Sequence, residues 1–247
     1  MTTTAVIQAR MGSKRLPGKV LRELAGVPIL ERICRAVAQS GVEDVVVATS
    51  DSTADDPIAA FATRLGVAVT RGSESDVLSR FGRVLEEHPR TIEVVRVTAD
   101  CPFVDGHVID EVIDALRRET ADFAANRLPP PFQRTYPVGL DVEVCTADAL
   151  RMANKEATMP HQREHVMPFL YENPERFHVA LLDLEEPLGE FRWTVDSPQD
   201  LAAAEALAEI VGAEPVPWRT VLDAATRHPW IGEINAASVQ RSLRHHE

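Results

Sequence analysis

Two aspartates in this chain share a setting. Val97-Thr98-Ala99-Asp100-Cys101-Pro102 and Trp193-Thr194-Val195-Asp196-Ser197-Pro198 each put an Asp at the end of an apolar run, with proline two residues on. The proline lacks an N–H and ends the strand there. An Asp so placed can point into the crevice at the carboxyl end of a sheet. Asp100 and Asp196 meeting at one point would suit Mg2+, a hard cation usually bound by one or two carboxylates plus ligand phosphates. Taken singly, each reads more readily as a turn cap.

The phosphates have a candidate partner of their own. Arg10, Lys14, Arg15, Lys19 and Arg22 fall within thirteen residues that hold no acid, in a chain of formal net charge -12. The stretch follows an apolar run, Thr4 to Ala9, that reads as a first strand. Gly12 and Gly18 let backbone approach a bulky ligand closely. Cations on a flexible loop after a strand suit a polyphosphate. The plainer alternative is a solvated basic loop. A Walker A loop is excluded, because five residues separate Gly12 from Gly18 and Val20 follows Lys19. GxGxxG is absent, so a dinucleotide dehydrogenase has no support.

Other polar groups point to a second substrate. The segment from Arg127 to Gly139 is rich in proline and carries Arg134 and Tyr136, as a loop shaping an acceptor pocket or a dimer arm would. Asp141-Val142-Glu143 resembles a DxD metal motif, but its alternation fits a half-buried strand better. His161-Gln162-Arg163-Glu164-His165 matches the HxxEH pattern of a zinc peptidase class. No clear third ligand follows it, so polar contact of Arg163, Glu164 and His165 with an acceptor is the better functional reading. Plain helix surface is the alternative.

The elements that must position these groups alternate along the chain. Helices are expected from Pro28 to Ala38, from Asp55 to Leu65, over Asp76–His88 and over Val108–Arg118. Strands are expected at Val45–Thr49, Val67–Val69, Ile92–Thr98 and Asp122–Ala125. This rhythm predicts an α/β fold with a mainly parallel sheet. Beyond it, strands are expected at Leu140–Val144, Phe177–Leu182 and Phe191–Val195. Helices are expected at Thr146–Glu156, His161–Glu172 and Ser197–Ile210. Residues 1–212 read as one domain with 127–140 inserted, and 213–247 as a packing appendage ending in His245-His246.

Composition narrows the classes. At 247 residues the chain can bury a sizeable core. An acidic chain without a basic stripe argues against nucleic acid as a partner. Cys34, Cys101 and Cys145 are odd in number and form no CxxC, which suits reduced core thiols. No apolar run approaches the ~18 residues of a membrane span, and no leader is evident. A cytoplasmic protein is expected.

Ile7-Gln8-Ala9-Arg10-Met11-Gly12-Ser13 through Arg15-Leu16-Pro17-Gly18-Lys19-Val20-Leu21 resembles the opening of the bacterial cytidylyltransferases. The nearest likeness is to the branch acting in spore-coat polysaccharide synthesis. Arg71-Gly72-Ser73, Ala99 to Pro102, Gly139 to Glu143, Arg163 to His165 and Arg192 to Asp196 match that branch in order. Two positions depart from it: Ala99 stands where the family often has Gly, and Val138 where the branch often has Arg. The resemblance implies a nucleotide-diphospho-sugar transferase-like fold, a Rossmann-like three-layer α/β/α architecture. It also implies transfer of CMP from CTP to a small acceptor with release of pyrophosphate, by a homodimer. On that reading Arg10, Arg15 and Lys19 grip the triphosphate, with Gly12 and Ser13 on the same loop. Asp100 and Asp196 hold Mg2+. The Ala9 backbone, Arg71 and Ser73 lie near cytosine and ribose. Arg134, Tyr136, Asp141, Glu143, Arg163, Glu164 and His165 face a sugar-acid, phosphorylated or phosphonate acceptor. Another NTP, a metal-dependent glycosyltransferase of related fold and an inactive nucleotide-binding protein are the competing readings.

Overall fold

The computed structural model describes residues 1–238. The chain opens with β1 (Thr2–Gln8), a 3-10 turn at Lys19–Leu21, a hairpin of β2 (Glu23–Leu24) and β3 (Val27–Pro28), and α1 (Ile29–Val37). β4 (Asp44–Ser50), α2 (Asp56–Arg64), β5 (Ala68–Gly72), α3 (Val77–Glu87), β6 (Thr91–Thr98) and α4 (Gly106–Glu119) continue the alternation. Then come β7 (Phe123–Ala125), β8 (Glu143–Thr146), α5 (Ala147–Glu156), α6 (Pro160–His165), α7 (Pro168–Tyr171) and β9 (Val179–Leu181). α8 (Pro198–Val211), α9 (Trp218–Arg227) and α10 (Trp230–Ile234) follow.

Seven strands form one mixed sheet in the order β5-β4-β1-β6-β8-β7-β9. β5, β4, β1 and β6 run parallel, β8 is antiparallel to β6 and β7, and β9 runs parallel to β7. The apolar, β-branched runs of β1, β4 and β6 are buried on both faces, which suits the middle of a parallel sheet. Side-chain alternation then sorts residues between two cores. Ala5 and Ile7 of β1 join Val47, Val95 and the apolar sides of α1 and α4. Val6 joins Val46, Val94, Leu78 and Phe81 under α3, with Leu150 and Ala153 of α5. The fold is the three-layer arrangement expected. All three cysteines are free and buried.

Three expected elements differ. The run at Leu140–Val144 pairs only from Glu143, and Asn126 binds the Leu140 carbonyl and the Val142 N–H before it. The single helix over 161–172 is two, since Pro168 cannot continue the ladder and Val166 sits at φ 71. Phe191–Val195 forms no strand, only one parallel bridge between Arg192 and Val138. The β2–β3 hairpin was not expected, because two-residue strands carry no readable alternation. Its turn is Ala25-Gly26, both at positive φ, which matches the right-handed twist of the strands. Trp218, Val221, Ala224 and Ile231 of the C-terminal helices join the first core. His245-His246 lies outside the described residues. Among the described residues, no helix is long and apolar enough to cross a membrane.

Candidate active site

The parallel strands β1 and β6 end side by side, and the groups that could do chemistry gather there. Ala99 closes the β6 ladder by donating to the Gln8 carbonyl at 2.9 Å. Cys101-Pro102 then turns the chain away and leaves Asp100 at the crevice. Asp196 reaches the same place from 96 residues further along. Its approach is stitched to the first turn: Val195 N–H donates to the Asp100 carbonyl at 2.8 Å, and Thr194 Oγ1 to the same oxygen at 3.1 Å. Gly139 permits this packing. Its φ is +107°, and a Cβ there would lie 2.7 Å from the Thr194 nitrogen. After Asp196, Ser197 caps α8 and Asp200 returns the bond in a capping box, which fixes where the Asp196 turn ends.

Lys19 joins the two carboxylates. It opens the 3-10 turn behind Gly18, whose φ is 71°. Its Nζ lies 2.9 Å from Asp100 Oδ2, 2.9 Å from Asp196 Oδ1 and 2.7 Å from the Val195 carbonyl. The side chain is only 9% exposed, against 27% and 24% for its two partners. Burial alone would pull the ammonium pKa down, but the carboxylates outweigh it and hold the pKa above 10.5. The bare Coulomb attraction of each pair is about 5–6 kcal/mol at an effective dielectric of about 20, and the desolvation of both charges is set against it. Burial likewise works against the ionised Asp100, and Lys19 with hydrogen bonds from Thr98 and Cys101 brings its pKa below 3.8. Arg15 Nη2 stands 3.3 Å from Asp196 Oδ2 on the open side. Beneath, Arg192 binds Asp196 at 3.0 Å and Asp200 at 2.8 Å, and the Asp200 side chain is fully buried.

This junction divides a cleft into two lobes. One, of about 560 Å³, is walled by the basic loop, with Arg10, Gly12, Ser13, Lys14, Arg15 and Lys19 facing Glu74, Glu164 and the two aspartates. The loop is curled on itself by Ser13 N–H and Gly18 N–H, which both donate to the Met11 carbonyl. It is tied to the 3-10 turn after β4 by Met11 N–H on Asp55. The second lobe, of about 280 Å³, is lined by Arg96, Arg127, Asp141, Glu143 and Tyr171, among others. Arg15, Thr98, Asp100, His165 and Asp196 line both.

Several expected site residues are brought together there: Arg10, Gly12, Ser13, Arg15, Lys19, Asp100, Asp196, Asp141, Glu143, Glu164 and His165. Others are not. Tyr136 is 2% exposed, with its hydroxyl toward Glu111 and its ring 6.0 Å from that of Trp218. The aromatic body gains more in the core than at a wet pocket wall. Arg163 grips Asp76 with two bonds of 2.9 and 2.6 Å and the Asn154 carbonyl at 2.8 Å. It therefore pins α6 to the start of α3 instead of facing the cleft. Arg134 spends its guanidinium on Asp141, at 2.5 and 3.0 Å, and so orients an acid that does line the cleft. Arg71 binds the Ser50 and Ser52 carbonyls and Asp56, so it braces the loop after β4. Ser73 accepts from Asp76 N–H, and Ala9 N–H is used on the Ala48 carbonyl. His161 pairs with Glu172 at 2.9 Å, apart from His165.

The sequence reading missed Arg96, Arg127, Glu74 and Tyr171. Arg96 did carry a signal, a charge inside the apolar run of β6. It pairs with Glu143 and with Gln8 Oε1 at 3.1 Å.

A family model described as cytidylyltransferase matches residues 4–211. The spore coat polysaccharide biosynthesis protein SpsF of Bacillus subtilis is 34% identical over 218 residues, 85% of this chain and 88% of that protein. An uncharacterised protein of Methanocaldococcus jannaschii is 35% identical over 247 residues, covering 99% of this chain and 98% of its own. Among solved structures, a cytidylyltransferase from Leptospira borgpetersenii superposes with a TM-score of 0.88 at 28% identity, over 98% of this chain and all of its own. The shared architecture is the nucleotide-diphospho-sugar transferase-like fold.

Proposed function

The chain belongs to the cytidylyltransferase family, and from that premise we propose that it moves CMP from CTP to a small anionic acceptor in a Mg2+-dependent reaction that releases pyrophosphate. One observation carries the reading. Cations from a single loop and two strand-end carboxylates from distant segments converge on one point, with Lys19 Nζ 2.9 Å from both Asp100 and Asp196. That convergence lies where two lobes of the cleft meet, as a reaction between two substrates requires.

The donor set fits the metal. Two partly exposed carboxylates already face one cation, and Mg2+ is commonly held by one or two carboxylates plus substrate phosphates. Asp100 and Asp196 would hold it. When bound, it would neutralise phosphate charge and polarise the phosphorus under attack.

The chain's own residues account for the rest. Arg10, Arg15 and Lys19 would bind the triphosphate, and Gly12 and Ser13 would let it lie against backbone. Charge builds on the departing pyrophosphate, and Arg15 and Lys19 would balance it. Chemistry of this type depends mainly on positioning and charge stabilisation. The second lobe would hold the acceptor, with Arg96 and Arg127 meeting its anionic group and Asp141 and Glu143 accepting hydroxyl hydrogen bonds. His165, which lines both lobes, would meet the acceptor beside the phosphate it attacks. The family resemblance adds a homodimer working in the cytoplasm, and sedimentation velocity reads the dimer.

The deciding experiment is pyrophosphate release from each of the four NTPs, with Mg2+ and with EDTA. It is run across acidic sugars and phosphorylated or phosphonate acceptors. Release with CTP and an anionic acceptor is expected. No release with any pairing would overturn the proposal.

A further inference from the structure

Lys19 stands where two carboxylates meet, and that position has a consequence for how the metal arrives. Resting on the Mg2+ reading above, we infer that Lys19 supplies the positive charge between Asp100 and Asp196 in the enzyme without nucleotide, so that a divalent ion enters together with CTP and not by itself.

The geometry carries this. An ammonium has three N–H donors, and Lys19 has an acceptor for each: Asp100 Oδ2 at 2.9 Å, Asp196 Oδ1 at 2.9 Å and the Val195 carbonyl at 2.7 Å. The Lys19 side chain is buried and its two acids are partly so, which weakens screening by water. A divalent ion bridging the same two carboxylates would lie within a few ångströms of the ammonium, and like charges at that range repel strongly. The two cations therefore compete for one pair of acids.

What moves the ammonium is on the same loop. Arg10, Gly12, Ser13 and Arg15 line the adjoining lobe, where a triphosphate would lie. Lysine is a compact charge on a flexible four-carbon stem, so it can change acceptors without moving its backbone. The phosphates offer Lys19 replacement acceptors and offer the ion its remaining ligands. Each event removes the obstacle to the other, and by linkage the nucleotide tightens the ion as much as the ion tightens the nucleotide.

Mn2+ titration, followed by loss of the free-ion electron paramagnetic resonance signal, tests this without turnover. Lys19→Met is expected to bind Mn2+ alone at least about tenfold more tightly than the wild type, within the usual range of coupling. Adding Asp100→Asn to that variant is expected to abolish the gain. Equal affinity in the wild type and Lys19→Met overturns the inference, as does a gain that survives Asp100→Asn.

A second measurement needs no variant. The chain has three lysines, Lys14, Lys19 and Lys155, so a lysine-labelled NMR spectrum is simple enough to follow Lys19. Mg2+ alone is expected to leave its signal in place, and CTP with Mg2+ to move it. A shift with Mg2+ alone overturns the inference. The metal reading is judged separately: pyrophosphate release that survives EDTA defeats it. Release abolished by EDTA, with no gain of Mn2+ affinity in Lys19→Met, defeats only the exchange of cations at Lys19.

Discussion

The two lobes of the cleft are assembled in opposite ways. The proposed phosphate lobe takes Arg10, Lys14, Arg15 and Lys19 from one loop, and they face Asp100, Asp196, Glu74 and Glu164. The acceptor lobe takes its polar residues from β6, β8, the segment between β7 and β8, and α6 and α7. Around it, arginines are paired by the protein itself: Arg96 with Glu143, Arg134 with Asp141, Arg163 with Asp76. In the first lobe Lys19 and Arg15 pair with Asp100 and Asp196, the two acids proposed to hold the metal. In the other, much of the charge is committed to holding the wall in shape. On the proposed reading, rewiring wall pairs would alter the acceptor while leaving the loop proposed to bind the triphosphate intact.

If the phosphate lobe is the chemical half, its variants should lose the most. Lys19→Ala and Asp100→Ala are each expected to lower turnover by hundreds-fold, the ~3–4 kcal/mol that one lost transition-state contact typically costs. Circular dichroism should show a folded protein, and pyrophosphate release gives the rate. Near wild-type turnover in either variant would erase the distinction between the lobes.

The floor of that lobe should matter for stability. Arg192→Met leaves the fully buried Asp200 carboxylate without its cation, and removing one partner of a buried pair costs about 3–5 kcal/mol. The low end is expected, because Ser197, Asn235 and two backbone N–H groups still bond Asp200. Urea unfolding reads the loss. A change below ~1 kcal/mol would mean the pair is dispensable, as exposed ion pairs are.

The acceptor wall should give smaller and more selective effects. Arg134→Gln frees Asp141 to swing, and KM for the acceptor is expected to rise about tenfold, worth ~1.4 kcal/mol, with KM for CTP unchanged. Arg163→Gln is expected to act on stability alone, by about 1–2 kcal/mol, since its partners are Asp76 and Asn154. A rise in acceptor KM there, with unfolding unmoved, would return Arg163 to the acceptor site and blur the contrast.

The same contrast explains what could be read from sequence. The basic loop stood out in the sequence because its features are local: thirteen residues hold the cations, the glycines and the spacing that excludes a Walker A loop. Asp100 and Asp196 were legible because strand, Asp and proline form a pattern each carries alone. The parallel half of the sheet followed from its buried β-branched runs. Arg163 and Tyr136 misled because residue type does not say which partner a side chain will find across the fold. Arg163 meets an Asp 87 residues away, and Tyr136 packs on a tryptophan from α9. Arg127 was marked only as the start of the proline-rich segment, and Glu74 gave no local signal.

The least of the expected effects separates the lobes by pH. Under the phosphate lobe, burial would raise the Asp200 carboxyl, but Arg192, Ser197 and Asn235 hold it below 3.8. A carboxyl with a lowered folded pKa stabilises fully above its unfolded value, and that stability is lost as pH falls through the folded value. In the acceptor lobe, burial keeps the Tyr171 phenol well above 10.0, with Glu143 and Glu172 adding to it. Its stabilisation is present below 10.0 and is lost as pH rises beyond that toward the folded value. Lys19, held above 10.5, adds to the alkaline side, so Tyr171→Phe should shrink the alkaline decline and not remove it. Thermal midpoints across acid and alkaline buffers test this. Asp200→Asn is expected to be less stable at neutral pH yet flatter in acid, with its alkaline limb unchanged. Tyr171→Phe is expected to flatten only the alkaline limb. If each substitution moved both limbs alike, the lobes would titrate as one electrostatic unit, and the acceptor wall could not be altered without cost to the loop that holds the phosphates.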